Sequence, residues 1–384
     1  MSKLKIGLIG CGGMMGHHVT RLLEFDDVEI VAVADVRPER VEAMKERTGA
    51  TRGYASHKDF FAGESKLDAV YIAVEPCAHD QIEETCIERG WPFMVEKPMT
   101  LDMAQAKAIA DAVTAKGLVT AVGFQDRYLD IVAQTKAELA DMKVGMVYGT
   151  WLGGIPGVWW WMKKATCGGQ LLEQNIHLVD LLRYFFGEAT QVYAQNGRGL
   201  VCPSELAHRK ELPPYDNDDF SSALITFENG LIANLMSGCF VTREGNSIRN
   251  GLTIIGRDKS LEYLLRNSLT VYNAKGERKY NKMSDQSEAH DRAFIDAVKK
   301  GDPAGVLSPY ADALKSLLLA DAANRSMETG QAIKLGGADN SAKNDKIVDN
   351  HLGETDMTAK AITFANRMGV SAGQVLSNTT GMPL

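Results

Sequence analysis

The chain has 384 residues, 45% of them hydrophobic and 24% charged, which is the balance of a globular protein longer than one core usually organises, so two domains are expected. Its formal net charge of -7 is spread without a basic block, which excludes the electrostatic footprint that nucleic acid or an anionic membrane requires. The six cysteines are scattered, with no Cys-x-x-Cys pair or zinc-spaced Cys/His cluster, so no metal is expected.

The opening MSKLKIGLIGCGG lacks the apolar core and cleavage site of a secretory signal, and no stretch approaches the ~18 apolar residues of a membrane span. A cytoplasmic location is the expectation. Apolar runs at 4–9, 28–34, 68–74, 93–95 and 118–122 mostly lack strict alternation, the pattern of strands buried on both faces. Helical spacing at 37–48, 79–89 and 102–116 lies between them. This predicts a doubly wound parallel sheet over residues 1–124.

Beyond residue 124 the rhythm changes. A helix is expected at 129–141, then strands at 146–152, 191–197, 220–227, 231–238, 251–255 and 269–273, separated by turn signals such as ENG and AKGE. One helix, 169–185, interrupts them; helices at 286–300 and 308–328 and a strand at 332–335 follow. The fold class is therefore α/β, with a mostly antiparallel sheet in a second domain over 125–335. Residues 336–384 read as an extension with one helix near 356–369.

Three constellations carry chemistry. Gly10-Cys11-Gly12-Gly13-Met14-Met15-Gly16 follows a strand and precedes a helix. There Gly10 allows a tight turn, Gly12 lets the backbone approach a pyrophosphate, and the helix N-terminus offers free N–H groups. Gly13 or Gly16 is left to provide close helix packing. Asp35, ending the second strand, stands where a carboxylate accepts ribose hydroxyls and repels a 2'-phosphate, which favours NAD over NADP. Arg37 and Arg40 are the residues a 2'-phosphate would use instead.

The second constellation is Val95-Glu96-Lys97-Pro98, where a strand delivers a lysine to the edge at which open α/β sheets bind ligands. The third is Gly168 to Asp180. A continuous helix from 169 places Glu173, His177 and Asp180 on one face, a polar stripe amid Leu, Ile, Val and Phe. Trp151 and Trp159 to Trp161 lie upstream beside Lys163 and Lys164, and indole rings of this kind line sugar sites as readily as cores or interfaces.

Together these motifs resemble the glucose-fructose oxidoreductase and inositol dehydrogenase family, Gfo/Idh/MocA. The likeness runs from about residue 3 to 335 and is carried by GLIGCGG, VAVADVRPERVEA, DAVYIAVEPCAHDQI, VEKP, VGFQDRY, GGQLLEQNIHLVDLLRYFFGE, ITFENGLIANL and SPYADALKSLLLADAANRSMETG. It implies a Rossmann domain and a second domain whose open sheet pairs with another subunit, giving a homodimer or homotetramer.

The same resemblance implies catalysis by Lys97, Glu173 and His177. Glu173 stands where the family commonly has Asp. Cofactor contacts are expected from Gly10, Gly12, Gly13, Met14, Met15, Asp35, Arg37, Val74, Glu75, His79, Glu96, Lys97 and Gln125. Substrate contacts are expected from Lys97, Arg127, Trp160, Lys163, Glu173, His177 and Asp180. Glu75 is an unusual charge beside the nicotinamide position.

The implied activity is hydride transfer between NAD and a secondary alcohol of a sugar or cyclitol. His177 takes the hydroxyl proton, Lys97 stabilises the alkoxide, and Glu173 orients His177 or binds a neighbouring hydroxyl. Two alternatives use the same fold: a redox-neutral, NAD-dependent glycosidase or lyase acting through a keto-sugar, and a non-catalytic dinucleotide-binding sensor. The second has no need of a positioned acid and base.

Overall fold

A computed structural model describes residues 3–201, 213–241 and 248–336. The helix expected near 356–369, the tail from residue 337 and Cys202 lie outside them.

Six parallel strands form the first sheet: β1 (Leu4–Ile9), β2 (Val28–Ala34), β3 (Arg52–Tyr54), β4 (Ala69–Ile72), β5 (Phe93–Val95) and β6 (Thr120–Val122), in the order β3-β2-β1-β4-β5-β6. Helices α1 (Gly13–Leu22), α2 (Pro38–Thr48), α3 (His57–Gly63), α4 (Ile82–Arg89) and α5 (Met103–Lys116) connect them. The doubly wound sheet is as expected. Its boundaries reflect ordinary end signals: Pro38 opens α2, the Asp102 carboxylate caps α5, and Gly49 and Gly117 end them in the left-handed region. β3 and α3 were not expected, because a three-residue, largely exposed edge strand carries too few apolar residues to register.

The second sheet has nine strands: β7 (Val144–Leu152), β8 (Ala189–Gly197), β9 (Phe220–Phe227), β10 (Ile232–Gly238), β11 (Gly251–Gly256), β12 (Lys259–Leu264), β13 (Ser268–Asn273), β14 (Gly276–Asn281) and β15 (Ile333–Lys334). Their order is β14-β13-β12-β11-β7-β10-β9-β8-β15. All pairs are antiparallel except β10 with β7. β12 and β14 were missed; β14, GERKYN, is a polar edge strand with no buried face to impose alternation.

Helices α6 (Asp130–Leu139), α7 (Lys164–Cys167), α8 (Gln170–Glu173) and α9 (Ile176–Phe186) belong to this half. α9 and the long helix Tyr310–Thr329 are packed together, and the latter also lies on α5 and β8. The other face of the sheet carries exposed apolar side chains among the described residues. There Ile232, Met146 and Ile255 stand side by side across β10, β7 and β11, at 46%, 52% and 37% exposure.

Residues 286–308 return to the first sheet. Phe294 and Ile295 of helix Gln286–Lys300, with Val306, share a core with Ile6, Leu8, Met15 and Met94. Ser308 then extends β6, accepting the Val122 N–H on its carbonyl and donating its hydroxyl to the Val122 carbonyl. No described helix is long and apolar enough to cross a membrane.

Candidate active site

The glycine turn is built around Gly10, which has φ +85° and whose missing Cβ would lie 2.3 Å from the Ala73 carbonyl. Only glycine fits there. α1 then begins without a side-chain cap, so its first N–H groups are offered to the turn. A Cβ on Gly13 would meet nothing, and one on Gly16 only the end of Arg47. Neither glycine therefore serves the close helix packing expected of one of them.

Asp35 is buried and pins the turn from below. Its carboxylate accepts the Cys11 N–H at 2.8 Å and the Arg37 N–H at 2.9 Å, with Arg40 Nη1 3.8 Å away. A groove of about 660 Å³ beside it is lined by Gly12, Gly13, Gly16, Arg40 and Arg47. The Arg37 side chain is exposed; Met14 is 42% exposed, whereas the Met15 side chain lies in the core and leaves only its backbone for a ligand.

After β4, Val74 and Glu75 are half-buried. His79 turns inward, its Nδ1 2.6 Å from Glu83 Oε1, with both residues buried. The other ring nitrogen, Nε2, is buried with no hydrogen-bond partner among the described residues.

Glu96 and Lys97 leave β5 in opposite senses. Glu96 is buried where Gly123 lacks a side chain, since a Cβ there would lie 2.5 Å from its carboxylate. It accepts the Lys97 N–H at 3.1 Å, and its other oxygen lies 3.1 Å from His18 Nε2. His18 Nδ1 meets Asp291 Oδ1 at 2.7 Å. Burial alone pushes His18 down, but the Asp291 and Glu96 carboxylates carry it up to about 10, so it is an imidazolium. Lys97 points the other way, its Nζ donating to Glu173 Oε1 and to the Glu173 carbonyl.

The expected continuous helix through Glu173, His177 and Asp180 is broken. Glu173 ends α8, Gln174 and Asn175 form a joint, and His177 sits in the first turn of α9. The three polar residues consequently diverge. Glu173 goes to Lys97, while His177 is buried with its ring stacked on Trp151 (centroids 5.7 Å apart, 16° between planes) and edge-on to Phe124. Burial first, then the Arg266 and Lys97 charges, holds this imidazole well below its usual 6.5. It is neutral.

Asp180 goes elsewhere. Arg127 clamps it with Nε at 2.7 Å and Nη2 at 2.6 Å, and Ser316 donates to it at 2.6 Å. Arg127 also spends Nη1 on Asp312 and the Leu307 carbonyl, each at 2.6 Å. Arg127 and Asp180, both expected to touch substrate, are here partners in a buried ion pair that ties α9 to helix Tyr310–Thr329. Neighbouring Gln125 is buried with its side-chain oxygen unpartnered among the described residues.

The tryptophans also separate. Trp160 packs against the cluster of Trp161, Cys167 and Cys239, and Lys163 pairs with Asp216 at 3.1 Å. Trp151 is the indole at His177. Sequence reasoning missed Asp126, Arg266, His18 and Asp291, whose distances along the chain from Lys97 and His177 carry no local signal. Among the described residues, no group of three or more His, Cys, Asp or Glu is arranged to hold a metal.

Comparison with known proteins matches residues 4–124 to the profile of an oxidoreductase family with an NAD-binding Rossmann fold, and residues 143–262 to the GFO/IDH/MocA C-terminal domain. Among relatives, myo-inositol 2-dehydrogenase of Thermotoga maritima is 23% identical over 353 residues, covering 86% of this chain and 98% of the relative. Inositol 2-dehydrogenase of Renibacterium salmoninarum is 28% identical, covering 60% and 70%. Of solved structures, levoglucosan dehydrogenase in complex with NADH and levoglucosan superposes with a TM-score of 0.76 at 21% identity, covering 88% of this chain and all of that one (100%). At that identity the superposition speaks for the fold.

Proposed function

The chain belongs to the Gfo/Idh/MocA oxidoreductase family, and from that premise we propose that it is an NAD-dependent dehydrogenase of a sugar or cyclitol secondary alcohol. The observation that carries this reading is the meeting of Lys97, from the end of β5, with Glu173 at 2.7 Å, beside a buried, neutral His177. An ammonium and an uncharged imidazole converging from opposite halves of the chain are what alcohol oxidation requires and what binding alone does not.

The residues present fit a dinucleotide: an uncapped helix start behind the Gly10 turn for the pyrophosphate, the Asp35 carboxylate for the ribose, and the free Gln125 oxygen near the reacting end. The bound nicotinamide supplies the hydride acceptor. His177 Nε2 takes the substrate hydroxyl proton as the carbon gives up hydride. Lys97 offers preorganised positive charge to the developing alkoxide, and Glu173 holds the ammonium until substrate replaces part of that contact. Asp35 supports NAD over NADP, because its carboxylate repels a 2'-phosphate.

We also propose that a second copy of the chain covers the face of the nine-stranded sheet where Ile232, Met146 and Ile255 form an apolar row. Light scattering of Met146→Glu against the wild type tests this, with a smaller particle expected.

A panel of polyols and sugars with NAD and with NADP, read at 340 nm, tests the activity. Substrate-dependent absorbance growth with NAD is expected. No turnover across the panel overturns the reading, and product release without net reduced cofactor replaces it with the redox-neutral one.

A further inference from the structure

We infer that Asp126, braced by Arg266, is the positioning residue of His177, holding its Nδ1 proton so that Nε2 carries the lone pair. The consequence for turnover rests on His177 being the base proposed above; the tautomer does not.

The geometry is specific. His177 Nδ1 is buried with no hydrogen-bond partner among the described residues, a desolvated polar group that destabilises the fold if left so. Asp126 Oδ2 lies 3.8 Å from it. That is beyond a hydrogen bond, but catalytic contacts of this kind are often long without substrate and tighten with it. Trp151 covers a ring face and Phe124 meets it edge-on, so the imidazole is packed from two sides.

Asp126 is itself buried and held in a fork, with Arg266 Nε 2.7 Å from Oδ1 and Nη2 3.1 Å from Oδ2. Burial pushes its carboxyl up and Arg266 pulls it back. Arg266 stands in the turn between β12 and β13 at φ +54°, a left-handed conformation that glycine or asparagine adopts at lower cost. An arginine kept there is explained by its reach to Asp126. The charged groups around the pair are Glu96 and Lys97 beyond β5, Asp180 on α9 and Lys282 after β14. Asp180 is neutralised by Arg127 and Lys97 is paired with Glu173.

During oxidation the substrate hydroxyl proton moves to Nε2 and the hydride leaves the same carbon for the nicotinamide. Asp126, held in the Arg266 fork, accepts the Nδ1–H of the imidazolium that forms. It stabilises that cation without taking its proton.

Nitrogen-15 magic-angle-spinning NMR of the full chain labelled at its eight histidines tests this, with His177 assigned by its loss in His177→Gln. Wild-type His177 is expected with Nδ1 protonated and Nε2 bare. In Asp126→Asn the amide donates to Nδ1, so the proton is expected on Nε2, and turnover should fall at least about 100-fold with NADH binding retained. Should that variant not fold, Arg266→Gln serves: with the guanidinium gone and the carboxylate kept, a doubly protonated His177 signal is expected near neutral pH. A wild-type proton on Nε2, an unchanged tautomer in Asp126→Asn, or no imidazolium in a folded Arg266→Gln overturns the proposal. The NMR readout needs no substrate, so a panel without turnover sinks the dehydrogenase reading alone.

Discussion

Lys97 Nζ reaches Glu173 twice, donating to the carboxylate Oε1 and to the main-chain carbonyl, each at 2.7 Å. Lys97→Met is expected to lower kcat by about 100-fold or more, with NADH affinity within a few-fold of wild type by fluorescence titration. Unchanged turnover removes Lys97 from the chemistry.

The pH profile follows from His177. Burial, Arg266 and Lys97 depress its pKa well below 6.5, so the base is neutral through that value and is lost only on further acidification. The acid limb of kcat/KM for alcohol oxidation is therefore expected below pH 6.5. A limb at or above that pH would assign it to another group.

His18 behaves in the opposite sense. Its folded pKa is raised from 6.5 to about 10, so the stability it contributes is complete below 6.5 and is lost as pH rises through about 10. His18→Gln leaves Asp291 and Glu96 without their cation and is expected to cost about 3 kcal/mol near neutral pH. Urea unfolding at several pH values should show the gap between variant and wild type closing on the alkaline side; a constant gap contradicts the buried imidazolium.

Cofactor choice is tested at Asp35. With its carboxylate replaced in Asp35→Ser, Arg37 and Arg40 are left to meet a 2'-phosphate. KM is expected to rise for NAD and fall for NADP, each by about tenfold, the worth of a charge-assisted contact. If NAD kinetics do not change, the ribose is held elsewhere.

Asp180 is bound to Arg127 and Ser316 in the interior. Asp180→Ala strands a buried guanidinium and is expected to cost roughly 3–5 kcal/mol of stability. A folded, fully stable Asp180→Ala with a raised substrate KM would return the residue to the pocket.

The first sheet was legible because buried parallel strands leave continuous apolar runs and because Gly10 and Asp35 stand at fixed places relative to two of them. Lys97 was legible for the same reason, as the residue a strand delivers to the ligand edge. The joint at Gln174 and Asn175 was not: helical spacing continues across it, and the contacts made there, Glu173 with Lys97 and Asn175 with Ser237, reach residues far along the chain. Nor was Asp126, which reads as one more charge between Gln125 and Arg127. Its meaning depends on Arg266, 140 positions away, and pairings over that distance leave no periodicity.

The return of Phe294, Ile295 and Val306 to the core of Ile6, Leu8 and Met15 bears on biosynthesis. During translation the six strands of the first sheet emerge well before the helix that closes one of its faces. At ordinary elongation rates the delay is on the order of 10–30 s. Throughout it, nascent chains display an incomplete apolar slot at the ribosome exit. Shielding by a holdase over that interval, rather than spontaneous closure, is the condition under which yield should be highest, and a fragment ending near residue 124 should precipitate where the whole chain does not.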